Sequence, residues 1–148
     1  MIRRLRAEDL EQAAELERKY FSVPWSLESL RQSLEKSYYF FLAAEEDGRL
    51  AGYAGLLKVA DEGDITNIVV DEAYRGRGIG AELTGKLLEE GRKLGIHAFT
   101  LEVRVSNERA IHMYEKLGFV SEGIRKKFYE KPTEDALIMW KREPEFDQ

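Results

Sequence analysis

The segment Ile68-Val69-Val70-Asp71-Glu72-Ala73-Tyr74-Arg75-Gly76-Arg77-Gly78-Ile79-Gly80-Ala81 constrains the fold more than any other part of the chain. An apolar strand passes through a short turn into a glycine-rich loop, and the loop opens directly into a helix expected to begin near Ala81. The first N–H groups of a helix have no partner within it and carry the positive end of its dipole, so they can hold an anion such as a phosphate. Gly76, Gly78 and Gly80 allow positive φ and a close approach of main chain to such a ligand. Arg75 and Arg77 add fixed positive charge beside it. A Walker loop needs Lys-Ser/Thr after its last glycine, and Ala81-Glu82 stand there instead, which argues against a nucleoside triphosphatase. A dinucleotide fingerprint can be read at Gly76, Gly78 and Ala81, but that motif normally opens a βαβ domain, and here other structure precedes it. Glycines that served only to turn the chain would not call for two interleaved arginines.

With 148 residues, 43% of them hydrophobic and 34% charged, the chain suits one domain with a single core, expected over residues 1–142 with a polar tail over 143–148. A formal charge of −5 argues against general nucleic-acid binding and suits a cationic partner such as an amine. The absence of cysteine excludes disulfides, thiolate metal sites and a cysteine nucleophile. His97 and His112, the only histidines, are too few for a histidine metal cluster and read as solvated or packing residues, so no metal is expected. The N-terminus lacks the apolar run of a signal peptide, and nowhere do about eighteen apolar residues run uninterrupted, so a cytoplasmic protein without membrane association is the expectation.

Periodicity predicts a strand over 2–6 and a helix from Ala7 to about Tyr20. After a break at 21–25, a second helix is capped by Ser26 and carries Leu27, Leu30 and Leu34. Strands over 38–44 and 50–59 flank a hairpin turn at 46–49, and a strand over 64–70 leads into the glycine loop. The helix after the loop stops at Gly95. A strand over 99–105 follows, then a helix over 108–117 capped by Ser106 or Asn107 and stopped by Gly118. Strands over 119–129 and 135–141 complete the order. A mixed sheet with helices on both faces follows, antiparallel at its start and parallel around the glycine-loop helix.

This order, the Arg-x-x-Gly-x-Gly loop from Arg75 to Gly80, and the segment Leu101-Glu102-Val103-Arg104-Val105-Ser106-Asn107 followed by Met113-Tyr114-Glu115-Lys116-Leu117-Gly118-Phe119 resemble the GNAT superfamily of N-acetyltransferases. Within it the chain is most similar to the ribosomal-protein alanine N-acetyltransferases and the archaeal N-terminal acetyltransferases, a likeness shared by Pro24-Trp25-Ser26 and by the segments 123–129 and 134–139. The resemblance implies an α+β (mixed α/β) GNAT fold: a single, largely antiparallel mixed sheet, splayed at a cofactor wedge. It also implies acetyl-CoA as cosubstrate without a metal, a protein or peptide N-terminus as acceptor, and a monomer or weak dimer. Acetylation of a small amine or free amino acid is the alternative within enzymes, and a noncatalytic acyl-CoA sensor is the alternative outside them.

The implied cofactor contacts are Ile68, Val69, Val70, Arg75, Gly76, Arg77, Gly78, Ile79, Gly80, Asn107 and Tyr114. Asn107 can equally be a helix cap, and both roles can hold together. Glu102 is the candidate base, since an ionised carboxylate in a mostly apolar strand beside a cleft is disfavoured and inclined to take a proton. Alternation puts Glu102 on one face with Thr100 and Arg104, so a solvated carboxylate paired with Arg104 is the competing reading. Tyr114 is the candidate acid for the departing thiolate, or else a core residue beside Ile111 and Leu117. The N–H of Val69 or Val70 would meet the oxyanion. Val23, Pro24, Trp25, Asn67 and Tyr129 are the acceptor-binding candidates, with residues 21–25 and 129–133 as two walls of a groove; Trp25 can also be a core aromatic.

Overall fold

A computed structural model describes residues 1–143; of the predicted polar tail over 143–148, residues 144–148 lie outside the described residues. The strands are β1 (Ile2–Arg4), β2 (Tyr39–Glu46), β3 (Arg49–Val59), β4 (Glu62–Val70), β5 (Ala98–Arg104), β6 (Val120–Tyr129) and β7 (Glu134–Arg142). They form one sheet in the order β1-β2-β3-β4-β5-β7-β6, antiparallel everywhere except between β4 and β5. The helices are α1 (Leu10–Tyr20), α2 (Leu27–Leu34), α3 (Ile79–Lys93) and α4 (Glu108–Lys116).

Two cores follow from the helical stripes. Leu10, Ala13, Ala14 and Leu16 of α1 and Leu30 of α2 meet Phe41, Ala43, Tyr53 and Val69 on one face of the sheet. Ile79, Leu83, Leu87 and Leu88 of α3 and Tyr114 of α4 meet Leu42, Leu56, Phe99, Leu101 and Met139 on the other. Leu83 and Leu87 are fully buried, and removing such a side chain to alanine costs about 2–5 kcal/mol.

Several boundaries differ from expectation, each for a local reason. The first helix opens as a 3-10 turn over Ala7–Asp9, where the Asp9 carboxylate accepts from the Arg6 N–H at 2.8 Å and from Arg3 at 2.7 Å. The β2–β3 hairpin closes on Asp47 and Gly48, both at positive φ, so the strands run to Glu46 and Arg49. Glu143 is not part of a polar tail: it is buried, its N–H donates to the His97 carbonyl, and its carboxylate takes Arg92 Nε at 2.8 Å.

The feature that shapes the site is the parting of β4 and β5. They pair only at Glu62↔Ala98, Gly63↔Phe99 and Asp64↔Thr100, and beyond Asp64 they diverge. On its other side β4 stays paired to β3 as far as Val70, with one extra residue between Ile65 and Asn67. That bulge at Thr66 bends β4 and reverses its alternation. Ile65 faces α3 before the bulge, and Ile68 and Val70 face α3 after it, while Asn67 and Val69 turn toward α1. Gly55 lies opposite because a Cβ there would stand 2.7 Å from Phe41 Cε1 and 2.8 Å from both Thr66 Oγ1 and Asn67 Oδ1.

Candidate active site

The glycine loop has the geometry of an anion cradle. Gly76 and Gly78 sit at φ +81° and +78°, and no atom lies within 4 Å of where a Cβ would be, so backbone conformation rather than crowding demands glycine. Gly78 in the left-handed region is itself the N-cap, which starts α3 at Ile79 rather than Ala81. Glu82 N–H is the first to find a main-chain acceptor, the Gly78 carbonyl at 3.0 Å; among the described residues the N–H groups of 76–81 have none.

The approach to the loop is braced from α1. The Tyr20 hydroxyl donates to Asp71 at 2.6 Å and accepts from the Glu72 N–H at 2.8 Å. That hydrogen bond holds the Asp71 carboxyl below the usual carboxylate range, with Lys19 adding to it. The Arg75 guanidinium lies 4.6 Å over the Tyr20 ring, and its Nε donates to the Val70 carbonyl at 3.0 Å. Arg77 lies 5.4 Å over Tyr74. Arg75 thus fixes the strand-to-loop corner.

The parted strands expose main chain along β4. Asp71 N–H bonds to the Ala51 carbonyl of β3, so alternation turns Val69 toward β3 as well and aims the N–H groups of Ile68 and Val70 into the gap. Of the three strand residues expected at a cofactor, Ile68 and Val70 present free N–H groups there; Val69 commits its main chain to β3 and its side chain to the α1 core.

On the face toward α1, beyond the cover of the helices, Glu102 meets a different partner from the one its strand suggests. Its Oε2 lies 3.1 Å from Arg125 Nε, reached across β7, and not against Arg104. Arg104 instead donates to Glu134 Oε1 at 3.1 Å, Pro132 O at 3.0 Å, Glu130 O at 3.0 Å and Ser22 Oγ at 3.2 Å, and lies 4.5 Å over the Tyr129 ring. Ser22 Oγ also donates to Glu130 O at 2.6 Å. The two predicted groove walls are therefore joined, and Arg104, missed as a functional residue, is the joint. Asp64 shares this face; burial, then the charge of Glu102, raises its carboxyl above the ordinary range.

Tyr114 is buried against the α3 core, edge-on to Phe119 with ring centroids 5.8 Å apart, so the core reading of its ring holds. Its hydroxyl has no hydrogen-bond partner among the described residues and is not fully sealed from solvent. Burial, reinforced by Tyr129, raises its pKa, so the phenol stays protonated at neutral pH. Tyr129 interacts with both Tyr114 and Glu102; burial and then the Glu102 charge push its pKa up to about 12. Asn107 caps α4, its Oδ1 accepting from Ala110 N–H at 3.3 Å, while its Nδ2 remains free at the surface.

Trp25 packs edge-on against Tyr39 and Phe41 and is only partly buried, so it serves both core and wall. With Val23 and Pro24 it borders an open groove of about 510 Å³ that continues to Ser29, Gln32 and Ser33. Asn67 turns inward: its Nδ2 donates to Glu17 Oε2 at 3.1 Å and to the Tyr53 hydroxyl at 3.2 Å. Tyr53 donates to the same Glu17 oxygen, and Glu17 Oε1 accepts from Trp25 N–H at 2.9 Å. Nothing in the sequence marked Glu17, which occupies an apolar position of α1.

Residues 10–119 match the model of the acetyltransferase (GNAT) family. The chain belongs to the GNAT acetyltransferases. A GNAT relative from Bacillus subtilis is 41% identical over 140 residues, which cover 94% of this chain and 93% of the relative. The ribosomal protein bS18-alanine N-acetyltransferase of Escherichia coli is 37% identical over 93% of this chain and 94% of its own. The crystal structure of the ribosomal-protein-S18-alanine N-acetyltransferase from Escherichia coli superposes with a TM-score of 0.88 at 34% identity, covering 96% of this chain and 92% of that one. Ard1 from Thermoplasma volcanium shares the fold, with a TM-score of 0.86 at 24% identity over 97% of both chains.

GNAT acetyltransferases use acetyl-CoA, whose thioester supplies the activated acetyl group. The residues of this GNAT domain fit it. The unpartnered N–H groups of 76–81 suit a pyrophosphate, and the Ile68 and Val70 amides suit an arm lying in the gap. No helix among the described residues is long and apolar enough to cross a membrane.

Proposed function

We propose that this GNAT enzyme acetylates the N-terminal α-amino group of a protein, the acceptor being a ribosomal protein that begins with alanine. The reading is carried by the parting of β4 and β5 beyond Asp64, with Glu102 on the diverging part of β5 and the groove walls joined where Ser22 donates to the Glu130 carbonyl. Relatives named for that acceptor match nearly the whole chain. A ribosomal acceptor places the enzyme in the cytoplasm. The walls leave room for an extended chain end and hinder a lysine that projects from a folded surface.

The chemistry asked of the side chains is modest. An α-amino group has a pKa near 8, so roughly a tenth is already neutral at pH 7, whereas lysine, near 10.4, has less than about a thousandth. Glu102 takes the amine proton through a water and releases it to solvent. Tyr114 gives its proton to the departing sulfur and recovers one from the nitrogen. The Val70 N–H, fixed by the β3–β4 pairing, meets the oxygen that gains charge.

The test is incorporation of labelled acetyl into peptides that differ in their first residue, with an N-blocked peptide bearing an internal lysine as control. Labelling is expected at the α-amine, fastest for alanine, and reduced in Glu102→Gln with partial recovery at high pH. Labelling of the lysine control alone would overturn the assignment.

A further inference from the structure

The two arginines on the α1-facing surface of the half-sheet β5-β7-β6 are held in opposite ways. Arg104 and Arg125 flank the same residue of β7, Ala136, whose methyl group leaves space for long side chains to cross the strand. Arg104 donates four hydrogen bonds and stacks on Tyr129. Arg125 makes no hydrogen bond among the described residues. Its side chain is 55% exposed, and its guanidinium lies 5.6 Å from the centre of the Phe128 ring and touches Glu102 at 3.1 Å by charge alone. Glu102 is 23% exposed and so more firmly seated than its partner.

We infer that Arg125 is a positioning residue that occupies Glu102 in the free enzyme and swings away when the acceptor's ammonium group, with the water that relays its proton, enters. The inference rests on the proposed role of Glu102. An acceptor α-amine is mostly protonated at pH 7 and approaches on the face where Arg125 lies. Arg125 fills Glu102 Oε2, the oxygen that the relaying water and the ammonium need, so their arrival displaces it. The groups facing Glu102 are Asp64 from β4, Arg125 and Tyr129 from β6, Arg104 on its own strand, and the uncharged Ile138 from β7. Arg104 is locked in its hydrogen bonds, which leaves Arg125 as the cation that can move. No bond is made or broken in the exchange. Its consequence is selectivity: a stray monovalent cation gains little by displacing Arg125, whereas a peptide end gains the groove as well.

Binding of an alanine-first peptide is to be measured by calorimetry with coenzyme A in place of acetyl-CoA, so that no transfer occurs, and turnover separately with acetyl-CoA. An exposed ion pair of this kind corresponds to a factor of about 1.5 to 5 in affinity. Arg125→Gln should therefore tighten peptide binding by about that factor, with KM changing more than kcat. Arg125→Lys should restore the wild-type affinity. In the Glu102→Gln background, removing Arg125 should give no gain, because the contested seat is gone. Unchanged or weaker peptide binding in Arg125→Gln overturns the inference, and so does an equal gain in both backgrounds. Full turnover by Glu102→Gln at neutral pH would instead remove the base reading on which the inference stands, whatever Arg125 does.

Discussion

Replacing Glu17 by glutamine tests whether the buried network supports both fold and groove. Glu17 is 1% exposed and accepts from three donors, Trp25 N–H at 2.9 Å, Asn67 Nδ2 at 3.1 Å and the Tyr53 hydroxyl. Glutamine keeps one acceptor oxygen. If that oxygen serves Trp25, the new NH2 faces Tyr53, whose hydroxyl can turn to accept, and Asn67, whose Nδ2 cannot. Asn67 Nδ2 keeps its bond to Tyr53, but at least one buried donor hydrogen, on Asn67 or Tyr53, loses its acceptor, at about 1–3 kcal/mol. A loss near the middle of that range, about 2 kcal/mol, should lower Tm by about 5–8 °C in a domain of this size. Urea unfolding followed by circular dichroism should show the loss in the midpoint with the slope unchanged. Tyr53→Phe in both backgrounds should give a coupling of about 1 kcal/mol, since the two side chains touch. Because Trp25 stands at the acceptor groove, Glu17→Gln should also raise KM for the peptide while leaving coenzyme A binding alone. Stability within about 0.5 kcal/mol of wild type would refute the reasoning, as an exposed surface site gives no more than that.

Tyr114→Phe should cut turnover about 10²-fold, the lower range for loss of a positioned acid, with coenzyme A affinity by calorimetry within about twofold of wild type. Full activity would leave Tyr114 with its packing role only. Gly78→Ala should cost about 1 kcal/mol from its φ of +78° alone, the Cβ meeting nothing within 4 Å. Gly78→Asp should weaken coenzyme A binding further than Gly78→Ala; equal affinities would show that no anion sits there. For Asp64, burial and the Glu102 charge hold the folded pKa above the unfolded one, so its ionisation opposes folding above that folded value and has no effect below about pH 4. Asp64→Asn should therefore raise Tm at pH 7, with the gain vanishing as the pH falls below about 4; a gain independent of pH would contradict this.

Element type and order were legible because α2, α3 and α4 each carry a stop or cap. Ser26 and Asn107 accept from the N–H three residues on, and Gly95 and Gly118 take positive φ where α3 and α4 end. The glycine loop was legible for the same reason: a free helix start and positive-φ glycines are local facts. The bulge at Thr66 was not. Strand burial alternates without a break from Glu62 to Val70, so the pattern reads as one regular strand, although the faces are exchanged at its centre. That happens because both faces of β4 are covered, so a shift of one residue leaves no exposed apolar side chain to betray it.

The partners of Glu102 and Arg104 show where reading a strand reaches its limit. Alternation places both on one face, and from that alone they are each other's nearest opposite charge. Pairing, however, depends on which strands come to lie alongside. Because β7 inserts between β5 and β6, Ala136 sits between Arg104 and Arg125, and the loop from β6 to β7 folds its carbonyls over Arg104. Arg104 finds Glu134 and those carbonyls within reach and leaves Glu102 to a cation from the edge strand. A fork of guanidinium donors goes where several acceptors converge, and a single carboxylate oxygen cannot compete with four such acceptors. Glu102 thereby keeps a weakly held partner at the open side of the sheet, the condition that its proposed role as base requires if an incoming amine is to reach it.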